Sequence, residues 1–159
     1  MTRSRSIVLP ATAAAVALAA LAVALFGSSL ATAAPYGTSA RSATVKVAHS
    51  HLGKILVDSR GRTLYLLGSD RTRKSTCFGA CAQAWPPLRA SRKPAVGKGL
   101  NASKVGTIKR SDGKPQVTYN GHPLYRFVND TKAGQTNGQG IVAFGGRWSV
   151  VSPAGRAVH

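Results

Sequence analysis

The sequence KILVDSRGRTLYLLGSD at Lys54–Asp70 recurs in altered form as KPQVTYNGHPLYRFVND at Lys114–Asp130. The two stretches are identical at 6 of 17 aligned positions. Self-similarity at a fixed spacing is typical of a repeated structural unit. We therefore interpret the chain as a tandem duplication, with repeats at about 51–88 and 111–152.

Each copy carries the pattern of a β-hairpin. In the second copy the dipeptide Asn120-Gly121 separates two runs of strand-forming residues, and it accepts the positive φ angles of a type I′ turn. In the first copy Gly61 stands at the position that matches Gly121. The sequence predicts a mainly β protein, in which two tandem hairpin-containing repeats form one small antiparallel β domain at 51–157.

A strand places alternate side chains on one face, and this period indicates where the core lies. In the first copy that face carries Tyr65 and Leu67, and in the second it carries Tyr125 and Phe127. We expect these four side chains to form the centre of a small aromatic core.

Asp70 and Asp130 stand just past the second strand of each hairpin. Asp at such a position commonly accepts backbone N–H bonds in a turn, so we expect both residues to be structural. If the duplication brings the two carboxylates together, they would instead suit a hydrolase or a site for a hard cation.

The segments that follow the two hairpins differ. The first predicts a short helix over Cys77–Ala84, capped by Ser75 or Thr76 and stopped by Trp85-Pro86-Pro87. The second is rich in glycine and ends in a predicted strand at Arg147–Val151.

Cys77 and Cys81 lie four residues apart. On a helix they would share one face with Cα atoms about 6 Å apart, which is inside the range for a disulfide. An exported protein is expected to hold such a pair oxidised. A redox-active pair is the alternative, although the spacing is not the C-x-x-C of thioredoxin-like proteins.

The N-terminus has the order of a secretory signal peptide over residues 1–33. Arg3 and Arg5 precede an apolar run from Ile7 to Phe26, and Ala31-Thr32-Ala33 supplies an A-x-A cleavage site. An uncleaved transmembrane anchor is the alternative, because about 20 apolar residues suffice to span a bilayer.

The composition is strongly basic. Lys and Arg number 22 against 4 acidic residues, all of them Asp, for a net charge of +18, and removal of residues 1–33 leaves +16. Small, polar and basic residues predict a flexible basic tether at 34–50 and a linker at 89–104. A positive potential attracts polyanions, and outside a bacterial membrane these are anionic wall polymers and phospholipid headgroups. Export argues against nucleic acid as a specific partner.

The chain resembles the family of secreted repeats described as predicted lipoproteins with a Tyr-x-(Phe/Trp/Tyr)-x-x-Asp motif. The motif residues are Tyr65, Asp70, Tyr125, Phe127 and Asp130. The first copy has Leu67 where the motif has an aromatic, and the segment from Cys77 to Leu88 is also similar. The resemblance implies an exported protein, and it implies no established activity. Many members look lipid-anchored, but the apolar run is not followed by the cysteine that a lipid requires, so no lipid anchor is predicted.

These observations predict an exported, non-enzymatic protein of the cell envelope that binds anionic surface polymers through its charge. No catalytic residue, cofactor or metal ligand is predicted. The alternative is an extracytoplasmic redox or metal-handling protein that uses Cys77 and Cys81 with His49, His51 and His122. Each alternative requires that the fold bring those side chains together.

Overall fold

The computed structural model describes residues 44–91 and 93–159. Within this part of the chain the secondary structure is nine strands, one α-helix and one 3-10 turn. The helix α1 spans Ala80–Ala84, and the 3-10 turn spans Ala102–Lys104. The strands are β1 (Thr44–Ser50), β2 (Gly53–Val57), β3 (Tyr65–Leu67), β4 (Ala95–Val96), β5 (Val105–Lys109), β6 (Pro115–Tyr119), β7 (His122–Pro123), β8 (Val142–Ala143) and β9 (Gly146–Val150).

The prediction of a mainly β fold with two repeats is confirmed. The strands form three small sheets, with the orders β2-β1-β4, β3-β9-β8 and β5-β6-β7. Every named pair is antiparallel except β1 with β4, which run parallel over two residues.

The expectation of a flexible tether over 34–50 is wrong for residues 44–50, which form β1. This strand pairs with β2 in a register that runs from Lys46 opposite Val57 to Ser50 opposite Gly53. Val45 is fully buried, so the strand contributes to the core as well as to the sheet. The second repeat begins in the same way, with β5 paired to β6, ahead of its expected start at 111. Residues 34–43 and the predicted signal peptide lie outside the described residues.

The two hairpin turns differ in length by one residue. Asn120 and Gly121 both have positive φ angles, 50° and 81°, as the type I′ prediction requires. Four residues separate the paired Thr118 and Pro123, whereas five separate Val57 from its bridge partner Thr63. Val57 is therefore the counterpart of Thr118, one residue away from the position that a uniform 60-residue shift indicates.

The two repeats exchange strands. β3 of the first repeat pairs with β9 of the second, with Leu67 opposite Trp148. In the matching place the chain around Pro87 pairs with the chain around Tyr125, where Leu88 N donates to Leu124 O at 2.8 Å. The tyrosine strand of each repeat is thus covered by the tryptophan-bearing segment of the other.

An approximate two-fold axis passes between Tyr65 and Tyr125. The Tyr65 N–H donates to the Tyr125 carbonyl at 2.9 Å, and the Tyr125 N–H donates to the Tyr65 carbonyl at 3.0 Å. The strand at this axis is buried on both faces, because Leu64 and Leu66 belong to one core cluster while Tyr65 and Leu67 belong to another. The alternation of side chains in the sequence predicted only the cluster of Tyr65 and Leu67, and it did not predict that Leu64 and Leu66 are also buried.

The helix is shorter than expected, and its cap differs. The residue before the helix is Gly79, which provides no side-chain cap. The helix ends at Ala84, just before Trp85, as the Trp-Pro-Pro sequence predicts. Ser75 and Thr76 lie too far upstream to cap it. The region 89–104, expected to be a linker, contains β4 and the 3-10 turn. In the part of the chain that the structure describes, no helix has both the length and the hydrophobicity of a membrane-spanning segment.

Candidate functional site

The motif residues of the two repeats bind each other across the axis. The Tyr65 hydroxyl donates to Asp130 Oδ2 at 2.5 Å, and the Tyr125 hydroxyl donates to Asp70 Oδ2 at 2.6 Å. Each tyrosine therefore bonds the aspartate of the other repeat. The exchange follows from the fold, because the two tyrosines are direct neighbours in the central antiparallel pair.

The second oxygen of each carboxylate holds a loop. Asp70 Oδ1 accepts the Thr76 N–H at 2.7 Å, and Asp130 Oδ1 accepts the Asn137 N–H at 3.0 Å. The two aspartates therefore accept backbone N–H bonds in loops, as their positions predict. Because both oxygens of each carboxylate are used, the arrangement supports a structural role better than a hydrolytic one.

Four aromatic rings fill the space beside these bonds. Trp85 and Trp148 stack with ring centroids 3.9 Å apart and an interplanar angle of 1°. Tyr65 meets Trp85 edge-on at 5.3 Å, and Tyr125 meets Trp148 edge-on at 5.1 Å. Edge-to-face and offset-stacked pairs are the arrangements that aromatic rings prefer.

The one departure from the family motif, Leu67, has a local explanation. Phe127, at the matching position of the second repeat, stacks on Trp85 with centroids 4.2 Å apart. Leu67 lies opposite Trp148 in the ladder and is almost fully buried. An aliphatic side chain therefore fills the place of the motif's aromatic without opening the core.

Burial shifts the proton equilibria of this centre. Desolvation and the Asp130 carboxylate raise the pKa of Tyr65 far above its ordinary value near 10, and desolvation and Asp70 do the same for Tyr125. Desolvation also raises the pKa of Asp130, although the hydrogen bonds from Tyr65 and Asn137 oppose that shift. The phenolic protons therefore stay on the tyrosines.

Alkaline pH is expected to destabilise the fold through these two tyrosines. Above about pH 10 the unfolded chain ionises its tyrosines, whereas the folded chain keeps both protons. The folded state then binds more protons than the unfolded state, so stability falls as the pH rises. Tyrosinate absorbance should therefore appear together with the loss of circular dichroism. Tyr65→Phe and Tyr125→Phe variants show which part of the tyrosinate signal comes from each residue. Ionisation of Tyr65 or Tyr125 near pH 10 while the protein is still folded would contradict the expectation.

A buried arginine extends the centre on one side. The Arg110 guanidinium donates to Ser75 Oγ and to Gln116 Oε1, both at 2.6 Å, and to the Cys77 carbonyl. The Ser75 hydroxyl is also hydrogen-bonded to the Tyr125 hydroxyl at 2.7 Å, and it donates this bond because the single Tyr125 proton goes to Asp70. Sequence reasoning missed this network, because Arg110 entered it only as one of the 22 basic residues. The available indication was its position two residues after the apolar Ile108, since alternate residues of an extended chain share a face.

The two cysteines lie beside this network. The Cα atoms of Cys77 and Cys81 are 5.2 Å apart, and their sulfur atoms are at disulfide distance. Cys77 precedes the helix, so the pair does not share a helical face as expected. Both residues are buried in the aromatic cluster, which is the setting of a structural rather than a reactive pair.

The oxidised state of this pair is a prediction that mass spectrometry can test. The native protein should weigh two hydrogens less than the reduced protein and should resist alkylation until a reductant is added. Replacing both cysteines with alanine is expected to cost about 2 kcal/mol of stability, because the closed loop is short. A thiol adduct on the untreated native protein would contradict the expectation.

The histidines of the alternative hypothesis are spread over the first sheet and the second hairpin. His49 lies on β1 and His51 in the turn after it, both exposed, while His122 begins β7. Within residues 44–91 and 93–159, no group of three or more His, Cys, Asp or Glu side chains is arranged to hold a metal ion.

The repeats match a family model at residues 46–89 and 106–152, under the description "secreted repeat of unknown function". The chain belongs to this family. Both matched segments begin near the strand that opens each repeat, β1 or β5. The description of these secreted repeats supports an extracytoplasmic location. Neither a curated protein nor a solved structure matches the chain.

Proposed function

We propose that this secreted-repeat protein is a non-enzymatic component of the cell envelope that binds anionic, phosphate-bearing wall polymers through its positive charge. The proposal rests on one observation: the four acidic side chains already have partners within the protein. All four are engaged inside the described part of the chain, so most of the basic side chains have no acidic partner.

Two aspartates form all the ion pairs found among residues 44–91 and 93–159. Asp58 pairs with Arg62 and Arg126, and Asp112 pairs with Arg89 and Arg110. Hydrogen bonds from Arg89 and from the Lys114 N–H lower the pKa of Asp112 to about 2. Asp70 and Asp130 are used by the tyrosines.

The remaining basic residues carry uncompensated charge. Among the described residues, fourteen Lys and Arg side chains form no salt bridge. They are Lys46, Lys54, Arg60, Arg71, Arg73, Lys74, Lys93, Lys98, Lys104, Lys109, Lys114, Lys132, Arg147 and Arg156. Their summed positive field favours a polyanion over a neutral or basic partner.

Two clefts on this surface have cationic linings. One, of about 360 Å³, is lined by Arg73 and Lys104 among polar and glycine residues. The other, of about 430 Å³, is lined by His49, Lys54 and Lys98. Neither lining contains an acidic residue, so no lining carboxylate would repel an anionic group in either cleft.

A salt-graded binding test distinguishes this proposal from simple solubility. The chain from residue 34 onward should bind purified phosphate-rich wall polymer at low ionic strength and release it as salt rises, since the Debye length falls to about 3 Å at 1 M. A neutral polysaccharide of similar size is the control. Vesicles with anionic headgroups and duplex DNA form separate arms of the test. Binding that persists at high salt, or that is equal on the neutral polymer, would overturn the proposal.

A further inference from the structure

The cleft lined by Arg73 lies where the two repeats meet. Arg73 belongs to the loop that follows the motif of the first repeat, while the opposite wall comes from the start of β5 and the β6–β7 turn of the second. The lining residues are mostly polar or glycine, among them Ser103, Lys104, Gly106, Thr118 and Gly121. Such a lining suits a small anionic group.

Arg73 occupies this place in an unfavourable backbone conformation. Its φ angle is 61°, in the left-handed region that disfavours a residue with a side chain. Its N–H donates to the Gly121 carbonyl at 2.8 Å, and in the other repeat the N–H of Gly134 donates to the Gly61 carbonyl at 3.2 Å. Gly134 is therefore the counterpart of Arg73. It also has a positive φ angle, 79°, which glycine adopts without strain. A strained side chain kept where glycine would fit indicates a role for that side chain.

The opposite wall also differs between the repeats. Gly106 lies opposite Thr118 in the ladder, and its counterpart Lys46 lies opposite Val57. Lys46 reaches across its hairpin, where its ammonium group donates to the Ser59 carbonyl at 3.3 Å. Gly106 has no side chain to place there, and a Cβ at this position would lie only 3.1 Å from Thr118 Oγ1. The second repeat thus has an open cleft with a hydroxyl-bearing wall where the first has a lysine.

We infer that this cleft binds a phosphate group, mono- or diester, between the Arg73 guanidinium and the Lys104 ammonium. The inference rests on the proposed function and gives it a specific site. Arg73 forms no salt bridge within the described part of the chain. A guanidinium fork matches two phosphate oxygens. Lys104 is held at the cleft by its hydrogen bond to the Ala154 carbonyl at 2.9 Å, so its charge is already positioned. Free phosphate, a lipid headgroup and a polymer diester share this chemistry.

An amide chemical-shift titration tests the site directly. Inorganic phosphate, added to the chain from residue 34 onward at constant ionic strength, should produce saturable shifts at the amides of Gly106 and Gly121. Arg73→Gln and Arg73→Gly should weaken this binding about tenfold or more, since a charge-assisted bidentate contact is lost. Arg71→Gln removes the same charge from a neighbouring exposed residue and is the matched control. Arg73→Gly should melt no earlier than the wild type, because glycine relieves the left-handed strain.

The outcomes separate the site from the wider proposal. Shifts spread over the basic surface, or equal losses in Arg71→Gln and Arg73→Gln, would overturn the site. Local shifts together with no salt-sensitive retention on wall polymer would support the site while the proposed function fails. Repeating the titration with glycerol 3-phosphate and with phosphatidylglycerol vesicles distinguishes the source of the phosphate. A response to vesicles that exceeds the response to soluble phosphodiesters would assign the site to lipid headgroups.

Discussion

Replacement of Trp148 with alanine is expected to lower the free energy of unfolding by about 3–5 kcal/mol. The side chain is fully buried, stacks on Trp85 at 3.9 Å and meets the edge of Tyr125 at 5.1 Å. Its removal leaves a cavity at the centre of a small core, where the surrounding strands are tied across the two repeats and relax only in part. The loss is a large fraction of the stability of an ordinary domain.

Urea denaturation followed by circular dichroism measures this effect. The matched control is Val142→Ala, in the same β8–β9 hairpin, because Val142 is 73% exposed. That substitution should change the stability by no more than about 0.5 kcal/mol. A Trp148→Ala protein that loses less than about 1 kcal/mol would mean that the tryptophan pair does not hold the core together.

The second large effect is expected at the buried Tyr65–Asp130 hydrogen bond. Tyr65→Phe or Asp130→Asn should each cost about 2–3 kcal/mol, because hydrogen bonds to charged groups are strong and Asp130 is only 2% exposed. The double variant should lose less than the sum of the two, with a coupling energy of about 0.5–3 kcal/mol.

The other repeat supplies the matched comparison. Asp70 is partly exposed and keeps both its bonds to Thr76, so water can replace the Tyr125 hydroxyl at lower cost. Asp70→Asn should therefore destabilise less than Asp130→Asn in the same thermal and urea measurements. If either aspartate variant instead melted like the wild type while abolishing an enzymatic activity, the hydrolase alternative would replace the structural one.

The local features of the fold could be predicted from the sequence because they depend on short-range patterns. Asn120-Gly121 specifies its own turn, and Trp85-Pro86-Pro87 stops the helix whatever surrounds it. β1 was missed because its residues read as polar and basic. Val45 is buried because it lies opposite Val96 of β4 and packs into a core cluster, which the local sequence does not show. The sequence of β1 can be recognised as a strand only when the strands that pair with it, β2 and β4, are known.

The candidate site was less predictable because its contacts join distant residues. The motif identified Tyr65 and Asp130 separately, but nothing local indicates that a tyrosine would bond the aspartate of the other repeat. Burial of Arg110 depends on acceptors from Ser75 and the Cys77 carbonyl, more than 30 residues away. The one-residue difference between the hairpin turns likewise appears only when strand partners are known.

The exchange of strands between the repeats has a consequence for the history of the chain. In a polypeptide with one repeat, the tyrosine strand would lack the tryptophan-bearing segment that pairs with it here. We expect such a polypeptide to form this core only as a symmetric homodimer. End-to-end fusion of two such genes would produce the present arrangement, with one polypeptide supplying both subunits. Within one chain the two halves need not be identical, so one half carries Arg73 where the other has Gly134.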